Sequence, residues 1–219
     1  MHRALLLSVL LSLLALPGQA SDGVATEGKL SDKDFFRLAT CGATPGGDCD
    51  GPVVRWAQTQ ITLALAAPSR HYPSALAASA SVALDRAINE INGAGGGIRI
   101  TRDDRLIEPD IIVSLPELSD GEPTRGIPRI PNGQPIGVGF MWLWWDENAE
   151  ITSASMLISE DIRETDLPSV VLEELYQCLG FLYDIENRYY EGRSILSQDS
   201  NDTTEIIGQD RMALRTLYP

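Results

Sequence analysis

Glu173-Glu174-Leu175-Tyr176-Gln177 puts three polar side chains within about one turn of a predicted helix. Residues four apart project from the same side of a helix, and Glu174 lies about 100° round from Glu173. Two histidines at the outer positions would grip a zinc ion, with the glutamate between them as base toward a metal-bound water. Here those positions hold Glu173 and Gln177, a carboxylate and a carboxamide, which bind zinc poorly. Beyond residue 20 the only histidine is His71, between Arg70 and Tyr72 in a predicted surface loop. No three-histidine site can be assembled from it. What remains is acid–base work by Glu174, or oxygen ligation by Glu173, Gln177 and Asp184. Oxygen donors suit calcium or magnesium better than zinc, but three of them do not fill a calcium shell. We therefore expect no metal and no cofactor, and the chemistry leans away from an enzyme. Ser169 and Ser194 have no histidine partner, so a serine triad has no support. Taken alone, Glu-Glu-x-x-Gln on one side of an amphipathic helix reads as a solvated face.

The elements around this segment follow from its neighbours. Asp166 and Pro168 open the helix, and Gly180 ends it. Val171, Leu172, Leu175, Tyr176 and Leu179 form its apolar side. Ahead of it, Ser31 caps a short helix ending before Cys41. Val53 to Ala67 reads as a strand, because Ile61, Leu63 and Leu65 alternate with Thr62 and Ala64. Pro73 and Ser74 start a helix that Gly93 closes, with Leu76, Ala80, Leu84, Ala87, Ile88 and Ile91 on one face. Gly95-Gly96-Gly97 lacks the setting of a phosphate cradle and reads as a turn. Short strands are expected near Ile98–Arg102 and Asp110–Leu115. Residues 116–135 hold five prolines and read as a surface loop. Ile136–Trp145 and Ile151–Ser159 form a hairpin across Asp146-Glu147-Asn148. A last helix runs from about Gly208 to Leu217. The order predicts one α+β domain, with helices packed on a mostly contiguous sheet.

The polar helix and its sequel carry a resemblance. Gly180 and Asp184 continue the His-x-x-Gly-x-x-His-Asp cadence of metzincin peptidases, with Tyr183 where their third histidine stands. Ser194-Ile195-Leu196 before a closing helix resembles the turn of those enzymes, with Leu196 in place of a methionine. Most of the mature chain also resembles a family of exported bacterial proteins known only as a domain of unknown function, number 2927. That resemblance runs through Asp34-Phe35-Phe36-Arg37-Leu38, the Cys41/Cys49 loop, Val53-Val54-Arg55-Trp56, Glu173-Glu174-Leu175-x-Gln177-x-Leu179-Gly180, Ser194-Ile195-Leu196, Asp210-Arg211-Met212 and Leu217-Tyr218-Pro219. It implies a zincin-like single domain without an established activity. Its parts are a mixed twisted sheet, a helix in the N-terminal half, an active-site-like helix and a C-terminal helix. It also implies that Ile136–Trp145 lies at the sheet edge, where zincins pair with an extended peptide. Phe140, Trp142 and Trp144 share one face of this strand, and Met141, Leu143 and Trp145 the other. The plain reading is a strand covered on both faces. The functional reading is a pseudoenzyme that captures a peptide or envelope protein by strand addition. Its ligand-binding residues would be Glu173, Gln177, Tyr183, Asp184, Trp142 and Trp144, with Glu174 as the catalytic remnant. An active hydrolase with an atypical site at Glu173, Glu174 and Gln177 is the alternative, and a structural envelope protein without a cleft ligand is a third.

Bulk properties set the surroundings. Arg3 followed by the apolar run Leu5–Leu16, then Pro17-Gly18-Gln19-Ala20, reads as a cleaved secretory signal over residues 1–20. Periplasmic or secreted localisation follows. Residues 21–30 read as a flexible lead-in, and 31–219 as the domain. Without the leader, 16 basic residues face 31 acidic ones, a net charge of −15. That charge repels phosphate backbones, so nucleic acid is excluded as a partner, and no later segment inserts into a membrane. Export implies oxidising conditions. Cys41 and Cys49 flank a stretch that turns easily and are expected to pair, leaving Cys178 a buried thiol; a bridge from either to Cys178 is the alternative.

Overall fold

The computed structural model describes residues 16–19 and 21–219, with side chains from residue 23 onward. The expected leader thus falls mostly outside the described residues.

The expected hairpin is present in the sheet. Strand β6 (Gly139–Trp145) pairs antiparallel with β7 (Ile151–Ile158), from Gly139 opposite Ile158 to Trp145 opposite Ile151. On its other side β7 runs parallel to β5 (Ile111–Ser114), which is parallel to β3 (Gln60–Leu65), itself parallel to β4 (Arg99–Arg102). Strand β1 (Leu16–Gln19) lies antiparallel along the outer edge of β6, giving the order β1-β6-β7-β5-β3-β4. Parallel strands need crossovers, and the long apolar-faced helix α2 (Ser74–Gly93) makes the one from β3 to β4. Ala80, Ala83, Leu84, Ala87, Ile88 and Ile91 turn inward, the stripe that the sequence spacing predicts.

Helix α3 (Leu167–Gln177) packs beside α2 and beneath β6 and β7. Its end is decided by backbone sterics. Gly180 has φ +103°, and a Cβ there would stand 2.2 Å from the Val54 carbonyl oxygen. Only glycine fits that turn. The chain then enters β8 (Tyr183–Glu186), and α4 (Gly208–Leu217) closes the fold. The α3 terminus is tied down from a distance. Tyr218 Oη donates to Leu179 O at 2.6 Å, and Trp56 Nε1 donates to Cys178 O at 2.9 Å. Tyr176 Oη donates to Asp210 O at 2.8 Å.

Five expectations need correction. The strand expected over Val53–Ala67 is confined to Gln60–Leu65, because Trp56 is anchored to the end of α3 and to Tyr218 instead of joining a ladder; Arg55 alone makes a bridge, to Glu150. Helix α1 (Asp32–Cys41) runs through Cys41 and ends at left-handed Gly42, and α2 continues through Gly93 to a left-handed Gly95. Residues 21–30 are not simply a lead-in. Strand β2 (Ser21–Ala25) pairs parallel with β8, a two-stranded sheet that periodicity did not reveal in such short, polar segments. Finally, the proline-rich loop is more than a connection. Ile130 and Ile136 pack on Phe140, Trp142 and Leu157, with Leu118, Ile127 and Trp144 at the margin, so the loop covers the sheet face opposite α3.

The Ser31 cap is as expected, its Oγ accepting from Asp34 N at 3.1 Å. Cys41 and Cys49 form a disulfide with Cα atoms 5.1 Å apart, and Cys178 is a buried free thiol. The fold is α+β with a mixed sheet, as the order of elements predicts. Among the described residues no helix is long and apolar enough to cross a membrane.

Candidate functional site

Helix α3 buries what an amphipathic reading would leave in water. Glu174 is 9 % exposed and Gln177 2 %. The solvated-face expectation is therefore overturned for both. Two neighbours account for this. Gly139 opens β6 directly above α3, and a Cβ on it would meet Val170 Cγ1 at 2.5 Å and Glu174 Oε1 at 2.6 Å. The missing side chain lets the strand settle onto the helix. Strand β8 closes the other side and brings Asp184 against the last turn of α3.

Successive side chains of a strand alternate in direction, and β8 divides its two candidate residues accordingly. Gln177 Nε2 donates to Asp184 Oδ1 at 2.7 Å. Glu173 also hydrogen-bonds Asp184 through its side chain. Two carboxyl groups bond only when one carries a proton, so Glu173 and Asp184 share one. Tyr183 points away. Its ring fills the space that a side chain on Gly42 would take, beside the disulfide loop. Tyr183 is thus separate from the polar group, contrary to the expected ligand set.

The electrostatics are one-sided. Burial pushes the Glu173 carboxyl well above the ordinary glutamate range, and Asp184, Glu174 and Asp210 push it further. Burial raises Glu174 in the same way, with Asp184 adding to it. The charged neighbours that raise them, Asp184, Glu174 and Asp210 for Glu173 and Asp184 for Glu174, are all acidic. Both glutamates therefore favour the neutral acid. Glu174 Oε2 is buried without a hydrogen-bond partner. Beneath them, Asp210 of α4 accepts from Ser194 Oγ at 2.7 Å and Ile195 N at 3.1 Å. Burial still lifts its pKa to about 7, against those two bonds. Asp210 thus fastens the Ser194-Ile195-Leu196 turn, and Ile185 N donates to Leu196 O at 2.7 Å, locking that turn to β8.

Sequence reasoning brought Glu173, Glu174, Gln177 and Asp184 together, and the structure does the same. It missed Asp210 and Gly139 as parts of the site. An acidic residue in a first helical turn reads as a partner of the helix dipole, and nothing local marks it as buried. The aromatic residues have another role than the one weighed for them. Phe140 and Trp142 are each 7 % exposed under the proline-rich loop, and Trp144 Nε1 donates to Arg129 O at 2.8 Å. Trp142 and Trp144 therefore hold the loop to the sheet and offer little side-chain surface to a ligand. This is the doubly covered strand of the plainer reading. The outer main-chain edge of β6, expected to lie at the margin of the sheet, is instead paired with β1. Among the described residues no group of three or more His, Cys, Asp or Glu is arranged to hold a metal ion. His71 is paired with Glu117 at 2.9 Å on the surface.

Comparison with protein-family models and with curated proteins finds no match for this chain.

Proposed function

We infer that this chain is an exported, zincin-like protein that holds an extended segment of a peptide or envelope protein along the outer edge of β6, on a scaffold without peptidase chemistry. The observation that carries this reading is the seating of β1. Leu16–Gln19 lies antiparallel on β6, with Leu16 opposite Trp145 and Gln19 opposite Trp142. The edge thus accepts a strand, and removal of a leader ending at Ala20 would leave its N–H and C=O groups unpaired. An open edge of this kind is a template for strand addition, with main-chain bonds supplying affinity. The loss of chemistry rests on Glu173 and Gln177, which stand where two imidazoles would grip zinc: the Gln177 carboxamide is a weak ligand, and the Glu173 carboxylate alone does not supply the three protein ligands of a catalytic zinc site.

The test uses a chain beginning at Ser21 and a fluorescein-labelled peptide spanning residues 13–20. Fluorescence polarisation should show saturable binding. The same peptide methylated at alternate backbone nitrogens should lose it, because each methyl removes a ladder donor. Equal binding of both peptides, or of neither, would defeat strand addition.

A second reading, a metal-free hydrolase, draws on the proton shared by Glu173 and Asp184. Cleavage of denatured casein in the presence of a chelator, abolished by Glu173→Gln, would favour it over the binding scaffold.

A further inference from the structure

The proline-rich loop is built as an arm with a fastened tip. Its stem is a short ladder: Gly121 N donates to Ile136 O at 2.8 Å, Ile136 N to Glu122 O at 3.1 Å, and Thr124 N to Gln134 O at 2.8 Å. The tip, residues 125–132, lies on the aromatic face of β6. Ile130 packs there with Phe140, Trp142 and Leu157, and Ile127 lies at the margin. Side-chain bonds fasten it. Trp144 Nε1 donates to Arg129 O at 2.8 Å, Ser155 Oγ to Pro128 O at 2.9 Å, and Arg129 Nη1 to Pro109 O at 2.7 Å.

Two observations show that this seating is imperfect. Ile130 N donates to Ile127 O at 3.3 Å, closing a turn whose third residue, Arg129, has φ +62°. Glycine or asparagine ordinarily takes that position, and an arginine there is strained. Trp142 is 7 % exposed, and its Nε1 is buried without a hydrogen-bond partner. An indole nitrogen can only donate, and a buried one ordinarily finds an acceptor. The tip gives a carbonyl to Trp144 and none to Trp142.

We propose that Phe140, Trp142 and Trp144 form a docking shelf for a proline-containing apolar segment of another protein, for which the tip Ile127-Pro128-Arg129-Ile130-Pro131 is the internal stand-in. The tip states the chemistry of the partner. Proline segments dock on aromatic rings at low conformational cost, and their carbonyls face donors such as indole N–H groups. A basic residue after the proline reaches the carbonyls of Pro109 and Asp110, as Arg129 does. The chain's net charge of −14 favours a basic segment as well. A segment free of the stem can place one carbonyl on Trp144 and a second on Trp142, which the tip does not. The shelf is the face of β6, whereas strand addition concerns its edge, where β1 lies.

The probe is the peptide acetyl-Ile-Pro-Arg-Ile-Pro-amide, added to a chain beginning at Ser21. Binding is followed by nuclear magnetic resonance of the indole N–H groups, with the Trp142 signal assigned from Trp142→Phe. Ile127→Ser with Ile130→Ser loosens the tip and leaves the shelf intact. This variant, checked for native circular dichroism, should bind the peptide at least about tenfold more tightly than the natural chain, because the competing tip is weakened. The Trp142 indole proton should move downfield as it gains an acceptor. The peptide of residues 13–20, which addresses the strand edge, should not compete. The proposal is overturned if the folded variant does not bind, if a peptide with serine at both isoleucines binds equally well, or if binding leaves the Trp142 signal in place. A second measurement needs no variant. Ile130 is 5 % exposed, so trypsin can cut after Arg129 only when the tip lifts. Cleavage there should proceed in the natural chain at a rate that low urea leaves unchanged. Cleavage only in step with global unfolding overturns the proposal.

Discussion

Replacing Asp210 with asparagine offers a quantitative test of the buried acid network. In the folded chain Asp210 is 1 % exposed, and its pKa rises from 3.8 to about 7. The main cause is burial, which the bonds from Ser194 and Ile195 only partly offset. A folded-state pKa above the unfolded one means that the folded protein holds the proton more tightly. The associated stability is fully present below about pH 4 and is lost as pH rises through about 7. A shift of this size corresponds to about 4 kcal/mol, as an upper limit before the surroundings relax. Asparagine is nearly the same shape, can still accept from Ile195 N, and does not titrate. The assay is urea unfolding of both proteins at intervals from pH 4 to pH 8. The stability of the natural chain minus that of Asp210→Asn should fall by a few kcal/mol over this range and then level off. Glu173 and Glu174 also lose stability with rising pH, but both proteins contain them, so most of their contribution cancels in the difference. Asp210 is the last and smallest of the influences on Glu173, so coupling between them is a minor correction. A difference that stays flat from pH 4 to pH 8 would refute the claim that Asp210 is held in a desolvated pocket.

Three further outcomes follow from the packing. Gly180→Ala forces a Cβ against the Val54 carbonyl at a positive φ, and should lower stability by about 3 kcal/mol or more in thermal unfolding. Gly139→Ala should lift the start of β6 off α3, and a second change, Val170→Ala, should recover part of the loss because Val170 Cγ1 is the nearest atom to the new methyl. Cys41→Ser with Cys49→Ser opens a loop with a sequence separation of 8 and should cost about 2–3 kcal/mol in denaturant unfolding under oxidising conditions, a loss that reductant reproduces in the natural chain.

Much of the fold was legible because its signals are local. The spacing of Ala80, Leu84, Ala87, Ile88 and Ile91 foretells α2, and Gly208–Leu217 was bounded as the structure has it. The hairpin of β6 and β7 was readable from two apolar runs across Asp146-Glu147-Asn148. Pairing of Cys41 with Cys49 followed from the easily turned chain between them. Strands β2 and β8 were missed because each is short and polar, and they find each other across most of the chain. The extent of the strand around Ile61 was overstated because Trp56 belongs to a long-range anchor at Cys178 and Tyr218.

The candidate site divides along the same line. Residue types alone determined what α3 lacks, two imidazoles, and which oxygen-bearing side chains share its turn, because helical spacing is a local property. Burial was decided only by tertiary structure. Whether Glu173, Glu174 and Gln177 meet water or protein depends on β6 settling over Gly139 and on β8 presenting Asp184 while turning Tyr183 away. The proton that Glu173 shares with Asp184, and the rise of Asp210 to about 7, exist because distant segments remove the same carboxyls from water. Desolvation is a sum over everything packed around a group, and no window of sequence contains that sum.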